Sequence, residues 1–185
     1  MIIVAFDPGK VASFARFDTS RPWEIDAGEI VQTGAGRYLR PCGLHIAEVI
    51  AGADIALVEE VGAMKDQGVS SMFTFGLCVG AILNTINSHG IPLETVTPPK
   101  WKAASKLGGL ADGEAKVAAR MIAKDLWPQH AAIFNVARKH GVAEAALMAR
   151  WFFIKGPGKD IHVEPGTPMV RQDLEQEGLN FSGES

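Results

Sequence analysis

Three acids in this sequence stand where apolar segments meet turns or helix starts. Asp7 closes "IIVAFD", Glu59 closes "IALVE", and Glu144 interrupts "HGVAEAALMAR", where no other acid, Lys or Arg occurs between His140 and Arg150. An isolated ionised carboxylate in apolar surroundings costs several kcal/mol (~3 or more) unless it is paired or metal-bound. Glu144 therefore either reaches water from the first turn of its helix or meets something positive. Each acid has an ordinary explanation by itself. Asp-Pro-Gly is a common turn, Glu59-Glu60 suits a solvated strand end, and an acid near a helix start favours the helix dipole. Occurring jointly in this element order, they point to one site. Carboxylates brought together repel, so a cluster at neutral pH requires a cation, and oxygen-only ligands select Mg²⁺ or Mn²⁺ over zinc.

The elements that must position these acids follow from apolar patterning. Residues 2–6 are a continuous apolar run ended by Asp7-Pro8-Gly9, "VASFARFD" (11–18) returns as a second strand, and "WEIDAGEIVQ" (23–32) fits a third. The second half of 38–53 is helical in pattern, and "DIALVEEVG" (54–62) is a buried strand ending in two acids. Residues 69–88 carry small and apolar groups at helical spacing and predict a long buried helix ended by His89-Gly90. A fifth strand at 92–98 stops at Pro98-Pro99; Asp112 is placed to N-cap a helix ending before Pro128, and a last helix runs from about His140 to Ile154. This is an α/β order with a mixed sheet, and catalytic groups on such sheets project from strand ends.

The chain of 185 residues, 47% hydrophobic, is long enough for one domain with a substantial core. The expected domain spans 1–155. From Gly156 the composition turns to Gly, Pro, Asp and Glu without a period, which predicts an extended or poorly packed tail over 156–185. "MIIVAFDPG" reads as a strand and not as a signal peptide, and "GLCVGAILNTIN" is broken by Asn84 and Asn87, so a cytoplasmic protein is expected. Cys42 and Cys78 have no metal spacing and read as reduced core or near-core thiols. Net charge is −3, but residues 98–159 hold eleven Lys/Arg against four Asp/Glu, and the remainder seven against seventeen. A basic segment in an acidic chain is a candidate phosphate-facing surface, with solvated helix faces as the plain alternative. Lys100, Lys102, Lys106, Lys116, Arg120 and Lys124 are its candidate DNA contacts, the last three at every fourth position of one helix.

The motifs "VAFDPG", "ALVEEV", "FTFGLCVGAIL" and "HGVAEAALMA", in this order, resemble RuvC-type Holliday junction resolvases of the RNase H-like nuclease superfamily. The segment "VTPPKWK…DGEAKVAARMIAKDLWP" is similar in style to the short phage and prophage-type members, and the resemblance covers about 1–155. It implies an RNase H-like fold, with a five-stranded mixed β-sheet flanked by α-helices. It also implies a catalytic and metal-binding set of Asp7, Glu59 and Glu144 on this chain. The family's fourth ligand, three or four residues before the last acid, falls on Gly141 or His140. Glycine offers no ligand, so His140 is the candidate, one helical turn from Glu144. Two divalent ions, Mg²⁺ or Mn²⁺, would act on a scissile phosphate to leave a 5′-phosphate and a 3′-hydroxyl.

The implied partners are branched DNA and a second copy of the chain, the homodimer being built on the helix at 69–88. Trp101, Phe73 and Phe75 are candidates for base stacking, with core or dimer packing the commoner role. Cellular resolvases carry an aromatic wedge three residues after the catalytic glutamate, whereas this chain has Gly62. A broader selectivity for junctions, forks and flaps is therefore as compatible with the sequence as strict four-way specificity. Two other classes stand beside the nuclease: a non-catalytic DNA-binding scaffold, and an actin-like nucleotide-binding fragment, which the lack of a glycine-rich phosphate loop disfavours.

Overall fold

A computed structural model describes residues 1–60, 62 and 68–155. The 156–185 segment expected to form a tail lies outside the described residues. Strands β1 (Ile2–Asp7), β2 (Ser13–Asp18) and β3 (Asp26–Glu29) form an antiparallel meander, since each connection is short enough for a hairpin. A minor two-stranded ribbon, β4 (Gln32–Thr33) with β5 (Arg40–Pro41), leads into helix α1 (Gly43–Ile50). Strand β6 (Ile55–Glu59) then pairs parallel to β1, and after α2 (Val69–Ser88) strand β7 (Leu93–Val96) pairs parallel to β6. The main sheet is five-stranded and mixed, in the order β3-β2-β1-β6-β7, as expected from the element order. The remaining helices are α3 (Pro98–Ala104), α4 (Asp112–Leu126), the single turn α5 (Ala131–Phe134) and α6 (His140–Lys155).

Strand alternation divides the core. Val4, Phe6, Ala56 and Val58 face α1 and α2, while Ile3, Ala5, Ala15, Phe17 and Leu57 face α3, α4 and α6. On that second face α6 is buried on every side from Gly141 to Ala149, because it is clamped between the sheet and α4. Its alanines allow the close approach. Ala115, Ala119 and Ala123 of α4 are buried at four-residue spacing against it.

Two expectations need correction. Helix α2, expected to be buried, buries only the stripe Cys78, Ile82 and Ile86, leaving Val69, Met72 and Phe73 exposed. By length and composition it is apolar enough to cross a membrane, but Cys78, Ile82 and Ile86 pack in one cluster with Ile46 and Ile50 of α1 and with Val4, Phe6, Ala56 and Val58 of the sheet. Asp112 is the first residue of α4 and not its N-cap, which is Ala111. Glu114 satisfies the free Ala111 N–H instead (3.3 Å), and Asp112 accepts a bond from Lys116 Nζ at 2.7 Å.

Candidate active site

The register of the sheet brings the acids together. Ser13 pairs with both Asp7 and Glu29 across antiparallel ladders. The parallel ladder pairs Phe6 with Val58, so Asp7 follows one step on beside Glu59, which in turn pairs with Val96. Glu29, Ser13, Asp7, Glu59 and Val96 thus form one row across all five strands. Alternation turns this row towards α6, on the same face as Ile3, Ala5 and Leu57. Glu60, of opposite parity, is exposed, and its N–H bonds Val96 O at 2.8 Å.

Helix α6 crosses this row with its first turn. A Cβ on Gly141 would collide with Asp7 Oδ2 and lie 2.9 Å from Ser13 Oγ, so only a glycine lets the helix backbone approach the carboxylate. His140 lines the groove beside Asp7, one position away from that contact. Glu144, one turn further, is only 7% exposed, and Lys102 Nζ lies 3.5 Å from its Oε1. The positive group that a buried Glu144 demands is therefore supplied, at least in part, by Lys102.

Burial pushes the Asp7 carboxyl up to about 7, reinforced by the negative charges of Glu144 and then Glu59, with Lys102 and Lys116 opposing. Glu59 is likewise raised by burial, although Trp101 Nε1 donates to its Oε1 at 2.8 Å and Lys102 lowers it. Trp101 is fully buried. That burial excludes the candidate stacking on DNA and agrees with the commoner role, core packing; the residue also orients Glu59. Lys102 Nζ lies 5.2 Å from the Trp101 ring centroid, which fixes the ammonium over an aromatic face.

Among the described residues no group of three or more His, Cys, Asp and Glu is gathered tightly enough to hold a metal ion. The chemistry of the donors nevertheless fits one. Asp7 and Glu59 are both raised by burial and by the Glu144 charge, all possible ligands but His140 are oxygens, and Lys102 and Lys116 are the cations that offset Asp7. Sequence reasoning missed Ser13, buried beside Asp7, and the orienting part played by Trp101. The hairpin register of "VAFDPGKVAS" carried the signal for Ser13; nothing local carried it for Trp101.

Of the basic candidates, Lys102 and Lys116 act on the acids. Arg120 and Lys124 lie one and two turns further along α4, about 6 and 12 Å by helical rise. Arg120 Nη1 donates to Asn135 O at 3.4 Å, and its Nε is buried without a partner. Lys100 and Lys106 are exposed around α3, Lys106 with a left-handed φ of 58°. Cys78 is not a nucleophile: burial and the Asp7 charge push its thiol up to about 12, and its Sγ donates to Gly9 O at 3.4 Å.

No protein-family model matches the chain, and no curated protein does. Among solved structures it is similar to Thermus thermophilus RuvC, at 17% identity over 80% of this chain and 91% of that one, with a TM-score of 0.53. It is also similar to T. thermophilus RuvC in complex with Holliday junction substrate, at 19% identity over 80% and 90% of the two chains, with a TM-score of 0.57. The fold is therefore RNase H-like, the fold of RuvC.

Proposed function

We propose that the chain is a metal-dependent endonuclease that cuts Holliday junctions or other branched DNA, leaving a 5′-phosphate and a 3′-hydroxyl. The observation that carries this reading is the convergence of Asp7, Glu59 and Glu144 from three elements onto one sheet end beside Lys102, where burial and the Glu144 charge raise Asp7 and Glu59. Carboxylates are seldom concentrated in this way without a functional reason. The fold shared with T. thermophilus RuvC, one structure of which holds a Holliday junction substrate, supports the choice of DNA.

In this reading Asp7, Glu59 and Glu144 hold divalent cations, Mg²⁺ or Mn²⁺, with His140 as a fourth ligand or a positioner of the attacking water. A bound cation would polarise the phosphodiester and generate the hydroxide nucleophile. Trp101 keeps the Glu59 carboxylate aimed at the row. Lys102 neutralises Glu144 until substrate arrives and then offers its ammonium to a phosphate. Two copies associate through the exposed side of α2, which gives a symmetric junction two cutting sites.

The test is nicking of a synthetic four-way junction in Mg²⁺ against a linear duplex of the same sequence. Asp7→Asn, Glu59→Gln and Glu144→Gln are each expected to abolish nicking while leaving junction binding intact, and Glu60→Gln to cut nearly as well as the parent. Near-parental turnover from any of the first three removes that residue from the site. One observation favours a second reading, a DNA-binding protein without catalysis: Glu144 is already engaged by Lys102. Tight junction binding with no nicking in either Mg²⁺ or Mn²⁺ is the outcome that selects it.

A further inference from the structure

The row of residues that ends at Asp7 continues in the direction away from Glu59, towards Ser13 and Glu29. Above this half of the row lies a groove of about 570 Å³, walled on one side by Lys10 and Val11 and on the other by Arg138, His140 and Gly141. That volume lies within the range of about 300–1,000 Å³ typical of small-ligand sites, larger than a single phosphate requires. Its charges are distinctive. Glu29 is already neutralised by Lys139 at 2.8 Å, whereas neither Lys10 nor Arg138 has a carboxylate within ion-pair distance among the described residues. Both are exposed. Lys102 and Lys116, which act on Asp7 and Glu144, come from α3 and α4. The groove cations come instead from the β1–β2 turn and from the turn just before α6.

We propose that Lys10 and Arg138 form a second phosphate subsite, holding a backbone phosphodiester of the cut strand next to the scissile one on the Ser13–Glu29 side of Asp7. The strand then crosses the carboxylates from α3 and α4 to the β1–β2 turn, with cations on both sides of the bond that breaks. Arg138 offers a fork matched to two phosphate oxygens, and Lys10 a point charge opposite it. The inference deepens the endonuclease reading above and rests on it.

The experiment measures anisotropy of a labelled four-way junction with the full chain, in metal-free buffer, across a salt series. Lys10→Ala and Arg138→Ala are each expected to weaken binding and to reduce the slope of log affinity against log salt by about one. Lys10→Arg and Arg138→Lys should keep the parental slope. Arg21→Ala, which removes a charge at the opposite end of β2, serves as control and should leave the slope unchanged. A scan of single methylphosphonates along the junction should find one position where the parent binds as weakly as Arg138→Ala, and where Arg138→Ala loses nothing more. If the parent binds the junction but both alanine variants keep its slope, the subsite is overturned while the endonuclease reading stands. If the parent does not bind the junction, that reading fails and the subsite with it.

Discussion

At Gly141 the backbone of α6 and the Asp7 carboxylate share one small space, and a methyl group there would strike Oδ2. Gly141→Ala is therefore expected to destabilise the protein by about 1–3 kcal/mol through overpacking and to abolish nicking by displacing Asp7. Thermal melting alongside the junction assay checks both. A stable variant with parental activity would show that the carboxylate can stand elsewhere. Asp7 also sets a pH dependence. Its carboxyl is raised from 3.8 to about 7, so the folded chain holds a proton that the unfolded chain has released between those values. Stability is thus highest below the lower value and falls as pH rises through the upper one. Asp7→Asn removes the penalty. In metal-free buffer it should gain on the order of 4 kcal/mol over the parent at pH 8, at about 1.4 kcal/mol per unit of the rise from 3.8 to about 7, and almost nothing at pH 4. Equal stabilities at pH 8 would mean that the carboxylate is not desolvated as the structure has it.

Among the elements, α2 and α4 make the clearest demands. The outer side of α2 includes Gly76 and Gly80, where an added Cβ would meet nothing within 4 Å. A Cβ at either position therefore meets no clash within the monomer, and because both glycines are exposed a leucine there should favour the helix by up to about 1 kcal/mol relative to glycine. If two copies pack through this side, Gly80→Leu should shift light scattering from dimer to monomer at micromolar concentration while raising the melting temperature of the monomer. A parent that scatters as a monomer with and without DNA removes the dimer. On α4 the three basic residues are separated by whole turns, and only Lys116 acts on Asp7 and Glu144. Lys116→Ala should therefore slow nicking at saturating DNA, whereas Lys124→Ala should change only the affinity. Comparable single-turnover rates for the two would mean that the stripe works as a uniform field.

For the molecule as a whole, the unfavourable charge of the site is also its capacity for ligand. A divalent cation that binds the folded chain alone stabilises it by mass action, by about 2.7 kcal/mol at a hundredfold excess over its dissociation constant. Mg²⁺ or Mn²⁺ should accordingly raise the melting temperature at pH 8, much less at pH 5 where Asp7 is protonated, and least in Glu144→Gln. Identical melting curves with and without either ion at pH 8 would count against the metal reading.

The periodicity of the chain determined a great deal. Its apolar runs specified the five main strands, α6 and α4 to within a few residues, and with them the mixed sheet. Three acids at element ends were legible because a carboxylate beside buried apolar residues is costly wherever the chain places it. What the sequence could not determine is who stands next to whom. Lys102 and Glu144 are an ion pair between α3 and α6, and Trp101 reaches Glu59 across 42 residues of chain; neither contact leaves a local pattern. The expected bounds of α2 hold but its full burial does not, for the related reason that an apolar face records only that something should cover it, not whether its own chain does. Gly141, in sequence terms a missing ligand, became in the folded chain the space Asp7 occupies, because only the packing of α6 onto the sheet brings that backbone and that carboxylate together.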